Sequence, residues 1–341
     1  MSIPHAHRNA SIDLFRYICS VMVVIIHTSP LSEYNPQISY FLTNIFPRIA
    51  VPFFFSVSGY FYIKKLEAGT ARFLPYISRL VTVYGIWSCL YFGISFLEWG
   101  HSSLRTFLIC CLTQFFITGS SEHFWFFPAL ILSVSLVTLI YKLRLQKLLL
   151  PMSLLCYALG CFSCAYYTVF SELALFRPLF AWTHFNTLRR ILLMGFPFFA
   201  SGLITVRLEN IWRTRHKFAI AFYFFALVLW AGELWIVHRM ELYRSFILTF
   251  GLYFLVLAVM QVLLEYPLPG FQKVSDKARA IANFTYYAHP FFLTCLTYSS
   301  YLITGSDMPS TPRFLLCIIM TFVCGNLLSK WNNRIAKLVL V

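Results

Sequence analysis

Residues 8–30 read "RNASIDLFRYICSVMVVIIHTSP", from Arg8 to Pro30. At 1.5 Å of rise per residue, the apolar part of this run is long enough to cross the hydrocarbon core of a bilayer. It nevertheless keeps Asp13 and Arg16 near one end and His27 near the other. Ionisable groups at membrane depth are expensive, and chains keep them where they face a protein interior or a watered path. On a helix, eleven positions separate Arg16 from His27, a rotation of ~1,100°, within ~20° of three full turns. The two therefore share a face and stand ~16 Å apart along the axis. Asp13, three positions before Arg16, can pair with it on that face, or can serve the helix dipole as a plain N-terminal acid. An interfacial ion pair that snorkels, with a boundary histidine, is the structural alternative; the shared stripe argues instead for a polar path.

The rest of the chain is of the same kind. Its 341 residues are 59% hydrophobic and 11% charged, with a mean hydropathy of +0.72. A soluble domain carries roughly 25% charged residues, so this one has too few to cover a globule. Apolar runs near ~20 residues recur between short basic loops, the signature of an all-α, polytopic membrane protein. The pattern predicts about ten transmembrane helices, near 12–30, 47–63, 80–98, 124–141, 148–168, 189–206, 217–237, 245–264, 281–303 and 313–330. Residues 104–118 are apolar but short, and read as a re-entrant or interfacial piece. The first run is too long, and too charged internally, for a signal peptide. No repeat or soluble segment interrupts the pattern, so residues 1–341 read as a single membrane domain.

Lys and Arg placement sets the expected orientation. With a cytoplasmic N-terminus, 18 of the 27 basic residues fall in inside loops and tails and 8 outside. Both termini are then cytoplasmic, and the net charge of +15 reads as this bias plus contact with anionic lipid. A basic stripe interleaved with aromatics is missing, which argues against a nucleic-acid partner. The cysteines lie mostly within apolar runs. Cys161 and Cys164 form a C-x-x-C inside a span with no charged neighbour, which reads as packing rather than redox chemistry. No zinc-type spacing, P-loop or G-x-G-x-x-G is present, so neither a metal site nor a permanently bound cofactor is expected.

Five stretches together resemble a known family. The Arg16-x10-His27 spacing in the first span is similar to the signature of the acyltransferase-3 family of integral membrane acyltransferases. "RIAVPFFFSVSGYFYIKK" (Arg48–Lys65), "HFWFFPALI" (His123–Ile131), "GFPFFASGLI" (Gly195–Ile204) and "ANFTYYAHPFFL" (Ala282–Leu293) resemble its later segments, in order. The likeness is to short members such as the enterobacterial common antigen O-acetyltransferase. One departure is Ala288, where the usual segment carries a bulky residue before His-Pro. The resemblance implies an O-acyltransferase in the cytoplasmic (inner) membrane, moving an acetyl group from cytoplasmic acyl-CoA to a hydroxyl of a cell-envelope glycan or lipid-linked sugar. A transporter or flippase is the alternative, since a polar path through ten spans also describes a carrier.

Chemistry assigns the roles within that expectation. Acyl transfer to an alcohol needs a base for the hydroxyl proton and donors for the oxyanion. His27 is the expected base. Arg16 offers an always-charged fork, and Asp13 can hold it. Lys64, Lys65, Arg72 and Arg79, in an expected cytoplasmic loop, could dock the phosphates of acyl-CoA, or could be topology charges alone. Arg48, just outside the second span, and His123 and Trp125, at the entry of another, face the expected acceptor side; for His123 and Trp125, aromatic-belt anchoring is the other reading. His289, before Pro290 in mid-span, is expected to line the cavity. Ser58-Gly59 reads as a close-packing point, since no nucleophile elbow surrounds it.

Overall fold

The computed structural model describes residues 9–98, 103–212, 216–268 and 271–331. Arg8, His101, Arg213, Arg215, Arg334 and Lys337 lie outside the described residues. Within them every regular element is a helix. In chain order these are α1 (Ala10–Thr28), α2 (Pro36–Asn44), α3 (Ala50–Glu67), α4 (Phe73–Glu98), α5 (Leu104–Thr113), α6 (Phe126–Lys142), α7 (Gln146–Phe162), α8 (Tyr167–Ser171), α9 (Arg177–Ala181), α10 (Phe185–Leu188), α11 (Phe196–Trp212), α12 (His216–Arg239), α13 (Phe250–Glu265), α14 (Gln272–Thr304) and α15 (Ser310–Lys330). A 3₁₀ turn (Phe46–Ile49) precedes α3, and π-helical turns follow α5 (Gln114–Thr118) and α10 (Arg189–Gly195). Each of the ten expected spans overlaps a helix, but those near 124–141, 148–168 and 245–264 meet the shorter apolar helices α6, α7 and α13. By length and composition six helical stretches are long and apolar enough to cross a membrane, so the chain is a polytopic helical membrane protein. The chain divides into two compact units, residues up to Phe53 with those from Met260 onward, and residues 54–259.

In the first unit α1 lies against α14 and α15. Asn9 caps α1, its side chain accepting from the N–H groups of Ser11 and Ile12. Its amide also donates to the Leu263 carbonyl at 2.6 Å, and the Ser11 hydroxyl donates to the Tyr266 carbonyl at 2.8 Å. The start of α1 is thereby pinned in register. At the far end Ser29 turns the chain through a left-handed conformation, φ 49°, and the following turn is strapped to α15. Leu31 N–H donates to Thr311 Oγ1 at 2.8 Å, and Glu33 accepts from the Thr311 N–H at 2.8 Å and from the Ser310 hydroxyl. A carboxylate on exposed helix N–H groups is a favourable cap.

Those bonds, the Ser310 hydroxyl foremost, hold the Glu33 carboxyl below its ordinary 4.5, at about 2. A carboxyl depressed in the folded state contributes stability above its unfolded pKa and loses it as pH falls through the folded value. Wild-type melting temperature is therefore expected to drop between pH 4.5 and about 2. In Glu33→Gln that part of the drop should be missing, which thermal melts across the window check.

Two helices of the second unit meet backbone to backbone. A Cβ on Gly59 of α3 would stand 1.9 Å from the Phe199 carbonyl oxygen, and one on Gly202 of α11 would stand 2.3 Å from the Tyr60 nitrogen. The hydroxyls of Ser56 and Ser201 bond at 2.6 Å across the same contact. Small residues permit such an approach, as expected of Ser58-Gly59. Cys161 and Cys164 are buried free thiols, in keeping with a packing role. Glu233 of α12 caps α13, accepting from the N–H groups of Phe250 and Gly251 and from the Tyr166 hydroxyl.

Candidate active site

Asp13 in the first unit uses both oxygens. Arg16 Nη1 donates to Oδ1 at 2.8 Å, and Ser275 of α14 donates its hydroxyl to Oδ2 at 2.7 Å. Since Asn9 already caps the helix, Asp13 acts as the holder of Arg16. With side chains 16% and 6% exposed, the pair is an interior one, and such pairs need every lone pair satisfied. Ser275 supplies that third contact. Ser275→Ala should cost about 1.5–3 kcal/mol, the range for a hydrogen bond to a charged group, read by unfolding of the purified protein.

His27, half-buried in the last turn of α1, stands beside fully buried His289 of α14, ring centroids 5.2 Å apart at 41°. His289 is 262 positions away in sequence, and packing of α14 on α1 brings the two together. Pro290 has no N–H, so the carbonyl four residues earlier, on Tyr286, loses its helical donor. His289 Nδ1 stands 2.9 Å from that oxygen and 3.1 Å from the Thr285 carbonyl. Carbonyls can only accept, so the ring carries its proton on Nδ1 and presents Nε2 as an acceptor. Arg48 donates from Nε and Nη2 to the carbonyl and side-chain oxygens of Asn44, at 2.8 and 3.0 Å.

The expected donor-side cations fall in the second unit. Their loop is shorter than hydropathy drew it. Lys64 and Lys65 form the last turn of α3, Arg79 lies within α4, and only residues 68–72 are non-helical. Helices commonly extend past the lipid with polar turns, which a hydropathy boundary cuts off. Lys65, Arg72 and Arg79 are exposed. Lys64 instead pairs with Glu209 at 2.7 Å, and Tyr60 donates to the same carboxylate. Glu67 binds Arg207 alongside, at 2.8 Å.

His123 and Trp125 lie in the turn that precedes α6. The turn closes on Gly119 (φ 94°), where a Cβ would meet the Trp125 nitrogen at 2.3 Å. His123 is only 3% exposed, packed against Phe124 and Tyr91. Trp125 faces Phe55 and the Arg190 guanidinium. Ser275 and Glu209 were not singled out from sequence. Ser275 sits in the polar start of α14, which looks like loop, and Glu209 in a short basic stretch. Their partners lie over a hundred residues away, beyond the reach of local pattern.

The family profile described as "Acyltransferase domain" (Acyl_transf_3) matches residues 9–334. The chain belongs to the acyltransferase-3 family. This acyltransferase-3 chain is also similar to two amino-acid racemases of Enterococcus faecalis. One is 27% identical over 340 residues, covering 96% of this chain and 47% of the relative. The other is 30% identical over 161 residues, 47% of this chain and 22% of the relative. A serine/alanine racemase of Enterococcus gallinarum is 31% identical over 137 residues, 38% of the chain and 19% of the relative. The acyltransferase-3 chain thus spans about half the length, or less, of the curated relatives it matches. No solved structure matches it.

Proposed function

We propose that this membrane acyltransferase moves an acetyl group from acyl-CoA to a hydroxyl of a cell-envelope glycan or lipid-linked sugar. The observation that carries the reading is the His27–His289 pair, with His27 on the same helix, α1, as the Asp13-held Arg16. His27 takes the acceptor's hydroxyl proton as that oxygen attacks the thioester carbonyl. Collapse of the tetrahedral intermediate then expels CoA thiolate, which takes the proton back from His27 and leaves as the thiol, with the acetyl ester formed on the acceptor. Arg16 stabilises negative charge on the donor or the developing oxyanion. Lys65, Arg72 and Arg79 hold the CoA phosphates, Lys64 being taken up by Glu209, while Arg48, His123, Trp125 and His289 serve the acceptor. Both termini are cytoplasmic in this reading, in the inner membrane, and the CoA nucleotide does not cross.

Purified protein given labelled acetyl-CoA should release CoA, and faster with an envelope-glycan extract. No turnover with any extract counts against the enzyme. Replacing Lys65, Arg72 and Arg79 with Gln should raise KM for acetyl-CoA while leaving kcat nearly unchanged; unchanged donor affinity would discard the donor site. A cysteine at position 72 should be labelled only from the cytoplasmic side.

A second reading is favoured by the names of the relatives. Racemases named for amino acids resemble this chain over as much as 47% of their own length, so in this reading the polar path of α1 carries a small amino acid. Proteoliposomes separate the two. Uptake of labelled serine without acetyl transfer supports the carrier, and transfer without uptake supports the enzyme.

A further inference from the structure

Among the described residues the Thr285 hydroxyl of α14 is buried with no hydrogen-bond partner, and the residue is only 1% exposed. A helical threonine can turn its hydroxyl to the carbonyl three or four positions back. The buried hydroxyls of Ser20 and Thr28 on α1 and of Thr321 on α15 do this, at 2.7, 2.8 and 3.1 Å. Thr285 does not. A polar atom so placed calls for a physical reason, because burial without a bond is costly.

The direction of that hydroxyl follows from the helix. At ~100° per residue and counting from Ser275, His289 lies ~40° round the axis, Thr285 ~80°, Ile281 ~120° and Phe284 ~180°, all in one sense. Ser275 bonds Asp13 of α1 at 2.7 Å, and His289 stands beside His27 of α1. Ile281 and Phe284 lie within 3.5 Å of where a Cβ on Gly325 of α15 would stand. Thr285, between these two contacts, faces the seam where α1, α14 and α15 pack together. It comes four residues, ~6 Å, before His289. The His289 ring lies back over the same turn, with Nδ1 3.1 Å from the Thr285 carbonyl.

Acyl transfer at the histidine pair raises a need that α1 meets poorly. The thioester carbonyl must come within reach of the hydroxyl whose proton His27 takes, so the oxyanion forms beside the two imidazoles. Arg16 is ~16 Å down the same axis, and Asp13, lower still, holds its Nη1. From there it answers charge carried on the donor more readily than charge on that carbonyl.

We propose that the Thr285 hydroxyl is the hydrogen-bond donor to the thioester carbonyl oxygen as it gains charge. This role for Thr285 rests on the acyl-transfer reading above. As the acceptor oxygen bonds to the carbonyl carbon, the π pair moves onto the carbonyl oxygen and is met by the Thr285 O–H, while His27 takes the acceptor's proton. On collapse the pair returns, the C–S bond breaks, and CoA thiolate recovers the proton from His27. Thr285 keeps its own proton throughout. A neutral hydroxyl suits the interior, since it offers a fixed donor with no charge to desolvate.

Thr285→Val, nearly the same shape without the hydroxyl, and Thr285→Ser, which keeps it, test the role in the purified full-length chain with acetyl-CoA and an envelope-glycan extract. Thr285→Val should melt at or above the wild-type temperature, because it removes a buried group with no protein partner. It should lower kcat at least ~10-fold, toward the ~10²-fold loss typical of a removed oxyanion donor, while KM for acetyl-CoA stays within ~2-fold. Thr285→Ser should keep kcat within ~5-fold of wild type. A packing role would lower melting temperature and turnover together. A Thr285→Val protein that melts lower, a rise in KM in place of the fall in kcat, or a Thr285→Ser as slow as Thr285→Val would each overturn the role. So would wild-type kcat in Thr285→Val, which leaves acyl transfer itself standing. A wild type that transfers no acetyl removes the acyl-transfer reading, and this donor with it.

Discussion

His27→Ala is expected to lower acetyl transfer by at least ~10²-fold, the lower bound for a positioned general base, with little change in melting temperature. The physical ground is that a half-buried imidazole in the last turn of α1 has its neighbour His289 5.2 Å away. Loss of one ring removes the proposed proton acceptor, and the variant is expected to keep the helix packing. Arg16→Lys is the informative companion. It keeps the charge but loses the fork that meets Asp13, so it should reduce kcat more than it disturbs folding. Transfer by His27→Ala at wild-type rates would remove the base from the mechanism.

Gly59→Ala is expected to have the largest effect on stability, about 3 kcal/mol, the upper end for overpacking. A Cβ there would overlap the Phe199 carbonyl oxygen at 1.9 Å. The obstacle is main chain on the opposing helix, so no side-chain rotation relieves it, and α3 and α11 must separate. Gly85 in α4 provides the control, since nothing lies within 4 Å of a Cβ built there. Gly85→Ala should be neutral or stabilising by up to about 1 kcal/mol, the helix-propensity gain. Thermal melts of both variants in one detergent check the contrast. Equal melting temperatures would mean that the helices part more easily than their contact implies.

Long apolar runs were legible because lipid leaves the backbone few alternatives to helix. Arg16, Asp13 and His27 were legible because all three lie on one helix, where period alone brings them to a face. His289 was legible only as a cavity candidate, since nothing local ties it to His27. The polar first turns of α14, which carry Ser275, were drawn as loop because hydropathy ends where charges begin. Lys64 read as a free cation for the same reason that Ser275 was missed. Glu209 meets it only after 145 intervening positions have been folded back, and charge counting along a chain is blind to such a return. Nothing in the sequence marks Arg189 as a buried residue, because burial is a property of packing and leaves no mark on composition.

Pro290 carries no titratable atom, yet it dictates which nitrogen of its neighbour holds the proton. By withdrawing one main-chain donor it makes the Tyr286 carbonyl a fixed acceptor, and His289 answers it with Nδ1. Protonation chemistry at this point is thus inherited from the covalent pattern of the backbone. A chain that replaced Pro290 with alanine would keep every acid and base it has, and would gain an N–H to compete for that carbonyl. The imidazole could then interchange its two neutral forms, and Nε2 would no longer be held as the proton-free nitrogen. Surveys that score positions by the reactivity of their side chains would pass over residue 290, although it selects which nitrogen of His289 turns to the backbone.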